Sequence, residues 1–81
     1  MYYVEVKALG GPEGDAHYRS ASTTRGPAMA GFWSRVRGLG NPLVDSEEVL
    51  EADGNYDTII TATGTDPDFS GLVTITMYWE D

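Results

Sequence analysis

The run Leu72-Val73-Thr74-Ile75-Thr76-Met77-Tyr78-Trp79 alternates without a break. Val73, Ile75, Met77 and Trp79 form one face; Thr74, Thr76, Tyr78 and Glu80 form the other. A side-chain period of two on β-branched and aromatic residues predicts a half-buried strand. Such a strand belongs to a sheet whose apolar face another element must cover. Residues 2–9 repeat the pattern, with Tyr2, Val4, Val6 and Ala8 on one side and Tyr3, Glu5 and Lys7 on the other. The cover is supplied by Met29, Phe32, Trp33, Val36 and Leu39, which recur at helical spacing over an arc of about 120°. Gly26-Pro27 suits the helix start. Arg35 and Arg37 complement the dipole of the last turn, and Gly38, Gly40 and Pro42 end it.

The remaining segments are less regular. Gly10-Gly11-Pro12-Glu13-Gly14-Asp15 reads as a turn or loop. His17 to Thr23 is polar, which an edge strand tolerates. Asp45 to Asp53 admits two readings. As a strand, Leu50 and Ala52 face in while Glu47, Val49, Glu51 and Asp53 face out. As a short helix, Asp45 caps and Glu48 completes a capping box. The tight-hairpin pair Asp53-Gly54 tips the balance toward the strand. Tyr56 to Thr63 follows as a strand, and Gly64 to Ser70 as a loop. The order β-β-α-β-β-β gives an α+β fold: an antiparallel four- to five-stranded sheet with one amphipathic helix packed on one face. Residues 1–81 form a single small domain.

Composition bounds the function. The 81 residues contain no cysteine and one histidine, His17. A disulfide framework and a thiolate metal site are excluded, and a zinc site needs more His or Cys than the chain holds. No apolar run approaches a membrane span, and no secretory signal is visible at Met1-Tyr2-Tyr3-Val4-Glu5. The expected compartment is the cytoplasm. Catalytic patterns are missing. Ser20, Ser22 and Asp15 accompany His17 without a nucleophile elbow. Gly10-Gly11-Pro12 and Gly38-Leu39-Gly40 lack the lysine of a phosphate loop. Asp53, Asn55 and Asp57 have calcium-loop spacing, but Thr58 stands where that loop needs Gly and Gly64 where it needs Glu. Paired-carboxylate chemistry needs a substrate cleft, for which 81 residues leave little room. The expectation is a protein that is not an enzyme and takes no cofactor or metal.

Charge is the distinguishing feature. The net charge is −8, and all five bases (Lys7, Arg19, Arg25, Arg35, Arg37) lie before Gly38. Residues 38–81 hold ten acids and no base. Direct nucleic-acid binding is disfavoured, because phosphate contacts need clustered Lys and Arg; an anionic membrane is disfavoured for the same reason. A basic protein surface is the natural partner, although carboxylates also serve solubility alone. The uncovered side of the sheet is expected to carry Tyr3, Glu5, Lys7, Thr74, Thr76, Tyr78 and Glu80, joined by Glu47, Glu51 and Asp57. Alternate strand residues lie about 6–7 Å apart, a spacing that suits carboxylates meeting successive Arg or Lys side chains. The candidate partner-binding residues are Glu47, Glu48, Glu51, Asp53, Asp57, Tyr78, Glu80 and Asp81. Reversing Glu47, Glu51 and Asp57 to Lys is expected to abolish binding and spare folding. Trp33 is expected in the core.

The stretch Asp45-Ser46-Glu47-Glu48-Val49-Leu50-Glu51-Ala52-Asp53 and the ending Met77-Tyr78-Trp79-Glu80-Asp81, in so small and acidic a chain, resemble the phage-encoded anti-CRISPR proteins, in particular inhibitors of type I systems such as type I-C. That group shares no common sequence motif, so no functional residue transfers by position. The resemblance implies binding to a guide-RNA surveillance complex (Cascade) in the host cytoplasm, as a DNA mimic that blocks target-DNA or PAM engagement. The basic N-terminal half departs from a pure mimic. There Arg35 and Arg37 would anchor an internal salt bridge or meet an acidic patch. Two other readings use the same features: an immunity-type protein neutralising a basic nuclease, and a phage structural or accessory protein self-associating through its open sheet face. The expected state is a monomer or weak dimer.

Overall fold

Five strands and one helix follow the chain in the order β-β-α-β-β-β. The computed structural model describes residues 1–11, 14–50, 56–66 and 71–80. The strands are β1 (Tyr2–Gly11), β2 (Gly14–Ser22), β3 (Gly40–Leu50), β4 (Tyr56–Asp66) and β5 (Gly71–Trp79), and the helix α1 is Arg25–Val36. They build one antiparallel sheet in the order β2-β1-β5-β4-β3. The C-terminal strand therefore lies at the centre, paired with the N-terminal strand from Tyr2↔Trp79 to Leu9↔Leu72. The ladder is extended by the Glu80 N–H donating to the Met1 carbonyl at 2.9 Å.

Alternation selects the core. Val4 and Ala8 of β1, Ile60 and Ala62 of β4, and Val73, Ile75 and Met77 of β5 form one buried cluster with Ala28, Phe32 and Val36 of α1. Tyr2, Val6, Met29 and Leu39 pack partly buried against it. Burial of a side chain such as Phe32, Ile75 or Met77 stabilises by about 1.5–3 kcal/mol each. These strand residues define the core face of the sheet, and their odd–even complements define the far face.

Several sequence expectations are corrected. Strands run through Gly10–Gly11 and Gly14–Asp15, within the span Gly10–Asp15 that reads as a turn or loop, because the antiparallel ladder reaches Gly11↔Gly14; Pro12 and Glu13 lie outside the described residues. The helix begins at Arg25, ahead of Gly26-Pro27. Proline is tolerated at its third position because first-turn N–H groups lack helical acceptors. Its approach is shaped by Ser22, whose hydroxyl donates to the Thr24 carbonyl at 2.9 Å and accepts from the Thr24 N–H at 3.4 Å. Arg35 lies in the last turn, whereas Arg37 is the capping residue after it. Trp33 is 38% exposed, while Phe32 is fully buried. Consecutive helical residues are rotated by 100°, so a helix centred on Ala28, Phe32 and Val36 carries Trp33 to its flank.

The strand alternative holds for residues 45–50, and the strand starts earlier than expected, at Gly40. Asn41 has a left-handed φ of 50° beside a register irregularity between Gly40 and Leu43. Asparagine is among the few side chains that adopt this conformation readily. The bend presses Leu39 and Gly40 against β4 at Gly64, where an added Cβ would lie 2.9 Å from both the Gly40 carbonyl oxygen and the Leu39 Cβ. Pro42 falls in β3, an edge strand, where proline is admissible. The Asp53-Gly54 hairpin and the Asp53-Asn55 part of the calcium spacing lie outside the described residues.

Candidate functional site

The far face divides into three zones, each set by strand register. The first spans β2, β1 and β5. Tyr3 pairs with Tyr78 across β1–β5, and their rings stack at 5.5 Å between centroids and 27° between planes. The Arg19 guanidinium sits 4.5 Å above the Tyr3 centroid and donates a long 3.5 Å hydrogen bond to the Tyr78 hydroxyl. That hydroxyl donates to Glu5 Oε2 at 3.3 Å. Lys7 Nζ lies 3.1 Å from Glu5 Oε1, and the same Oε2 that accepts from Tyr78 lies 3.4 Å from His17 Nε2, an ion pair when the imidazole is protonated. The Lys7 ammonium holds the Glu5 carboxyl below its ordinary value of 4.5; partial desolvation opposes this and His17 reinforces it. The Tyr78 hydroxyl, with further support from Tyr3 and Glu80, favours the charged form of Arg19.

The second zone is uncharged. Thr61 pairs with Thr76 and Thr63 with Thr74 at the β4–β5 junction. The third is the β3 edge. Residues 41–48 are all exposed, and alternation puts Asp45 and Glu47 on the far face and Ser46 and Glu48 on the core face. The ion pairs of Glu5 involve none of Asp45, Glu47 and Glu48.

The candidate residues are thus distributed rather than gathered. Glu47 and Tyr78 share the far face two strands apart, about 10 Å at 4.7–4.9 Å per step. Glu48 lies on the opposite face, because adjacent strand residues point to opposite sides. Glu80 follows β5 and is exposed, near the Arg19 network. Asp57 pairs with Val49 across β3–β4; its side chain, together with Glu51, Asp53 and Asp81, lies outside the described residues. Reasoning from the sequence missed Arg19 and His17, whose strand shows little hydrophobic alternation, and left Asp45 out of the contact set. The pairing of β1 with both β2 and β5 is the signal that would have found the first two.

Arg35 lies 4.8 Å over the Tyr18 ring, and Arg37 Nε donates to the Trp33 carbonyl at 3.4 Å. Among the described residues no three His, Asp or Glu side chains come together as metal ligands. A cleft of about 260 Å³ opens between Val6, Val73 and Ile75 of the sheet and Arg35 and Leu39 beside the helix end, slightly below the range of about 300–1,000 Å³ usual for small-molecule sites. No helix among the described residues is long and apolar enough to cross a membrane. No family model, curated protein or solved structure matches the chain.

Proposed function

We propose that this chain is a small acidic binding protein that occupies a basic, nucleic-acid-binding surface of another protein. The carrying observation is the exposed β3 edge with Asp45, Glu47 and Glu48, in a half of the chain that holds no base. Carboxylates outside the molecule's own ion pairs are available to a cationic partner, and such complementarity speeds association and selects partners. The helix serves as the cover of the core face, leaving the far face and the β3 edge for contact. The contact set is Asp45 and Glu47, with Glu48, Glu51, Asp53, Asp57, Tyr78, Glu80 and Asp81 around them.

The partner this reading favours is a type I CRISPR surveillance complex in the cytoplasm, whose target DNA is held through positively charged surfaces. The chain then acts as an anti-CRISPR protein, by occupancy and without cofactor or catalysis. The test is competition: the purified protein is added to a surveillance complex and a labelled PAM-bearing duplex, with a basic nuclease and its substrate in parallel. Displacement of DNA from the complex supports the reading. Displacement only at the nuclease identifies an immunity-type protein, and displacement at neither refutes both.

A second reading is favoured by a separate observation. Leu43 and Leu72 are 76% and 57% exposed, and strand alternation places both on the far face. Apolar side chains this open favour self-association through that face, as in a virion or assembly component. A stable oligomer in light scattering, dispersed by Leu43→Ser with Leu72→Ser, supports it.

A further inference from the structure

Strand β3 is unusual in what leaves it uncovered. It terminates the sheet, so among the described residues no strand lies beside one of its edges. Residues 41–48 are exposed on both faces. The helix shares its principal contacts with β1, β2 and β5, the other side of the sheet from this edge. The irregularity that blunts β3 is confined to its beginning, between Gly40 and Leu43; from Leu43↔Thr63 to Leu50↔Tyr56 the pairing with β4 is unbroken. A regular, open strand edge presents main-chain N–H and C=O groups in the spacing another strand requires.

The side chains select what can pair there. A second copy laid antiparallel on β3 with Ser46 opposite Ser46 would set Asp45 against Glu47 on either side of it, and like charges directly opposite destabilise a strand pair. The same acids favour Lys or Arg. They also flank the edge from both sides, Asp45 and Glu47 on one face and Glu48 on the other, so a segment lying along the edge meets carboxylates above and below it.

We infer that β3 docks its partner by strand addition: an extended segment bearing Lys or Arg pairs with the open edge over residues 43–50. The main chain supplies the contact and the three carboxylates supply selectivity. This inference rests on the proposed reading for the charge of the partner, and it gives Glu47 and Glu48, which point apart, a common role.

The test uses a synthetic eight-residue peptide alternating Lys with Thr, and a control alternating Glu with Thr. Amide hydrogen exchange is followed by NMR on the intact protein. The Lys peptide is expected to protect alternate amides between Leu43 and Glu48, and the Glu peptide to protect none. Two variants, Ser46→Pro and Glu47→Pro, separate main-chain docking from charge. Neighbouring strand residues aim their N–H groups at opposite edges, so one variant removes an outward donor and the other a ladder bond to β4. The variant that keeps the near-ultraviolet signal of Trp33 and Trp79 is expected to bind the Lys peptide at least tenfold more weakly. The inference is overturned if the Lys peptide does not bind, if it binds without alternate-amide protection, or if the folded proline variant binds it undiminished. If this variant still displaces DNA from a surveillance complex as the parent does, strand addition fails while the proposed function stands. If peptide docking succeeds and no DNA displacement occurs, strand addition stands and the proposed function fails.

Discussion

Phe32 and Trp33 are adjacent in the chain and have opposite roles in the fold. Phe32 is fully enclosed by the core cluster, so Phe32→Ala is expected to cost about 3–5 kcal/mol. Trp33 touches Phe32 edge-on, with ring centroids 5.1 Å apart, but is substantially exposed. Trp33→Ala is expected to cost only about 1–2 kcal/mol, by the smaller area it removes from contact. Urea titration of the two variants checks the order, and a larger loss at Trp33 would reverse the assignment. Gly64 is constrained differently. An added methyl group meets the Gly40 carbonyl and Leu39, and forcing it in is expected to cost about 1–3 kcal/mol, read as a lowered midpoint for Gly64→Ala. Glu5 sets a pH dependence. Its carboxyl titrates lower in the folded chain than its ordinary 4.5, so its contribution is complete above that value and fades as pH falls through the folded one. The contribution is modest, because Glu5 and Lys7 form their pair at the surface. Glu5→Gln is expected to flatten the loss of stability below about pH 4.5, measured by thermal melts across acid pH.

At the scale of elements, β3 shows how pattern and placement separate. Its acids are compatible with either of two secondary structures, and the Asp45–Glu48 spacing satisfies a helix cap as well as a strand. Pairing with β4 resolves this, since Ser46↔Ile60 and Val44↔Ala62 bring the strand into register with the buried positions of its neighbour. Because Asp45, Glu47 and Glu48 are exposed, reversing these three to Lys, a set that shares only Glu47 with the reversal expected from the sequence, is expected to shift stability by no more than about 0.5 kcal/mol per site and, under the proposed function, to abolish DNA displacement. Thermal melting and the competition assay, run on one preparation, check both halves. The helix was legible from Phe32 and Val36, whose spacing names the buried stripe. Its flank was not, because Trp33 is as apolar as the stripe and only three-dimensional contact tells the two apart.

Over the whole molecule, charge separates along the sheet. Lys7, Arg19 and His17 gather with Glu5, Tyr3 and Tyr78 at the β2–β1–β5 side, threonines fill the middle, and the acids of β3 form the opposite margin. The separation is incomplete: Glu48 faces away from Glu47, and Glu80 lies toward Arg19. A partner that approaches the β3 margin meets a negative potential before contact. Association is therefore expected to be fast and to slow about tenfold or more between 0.05 and 0.5 M salt, as screening shortens the reach of the field. Stopped-flow mixing with the surveillance complex proposed as partner measures this, and a salt-independent rate would assign binding to the exposed leucines instead of the carboxylates.

Alternation at Leu72–Trp79 and at residues 2–9, the helical spacing of Phe32 and Val36, and the acid-only second half are properties of the chain read locally. They suffice for strands, one helix, their order and an anionic character. The tertiary structure alone placed the last strand against the first, assembled Arg19, Tyr3, Tyr78 and Glu5, and left β3 at the margin of the sheet. The physical reason is that periodicity follows from bond geometry within a few residues, whereas the choice of pairing partner follows from how distant apolar faces close over one core.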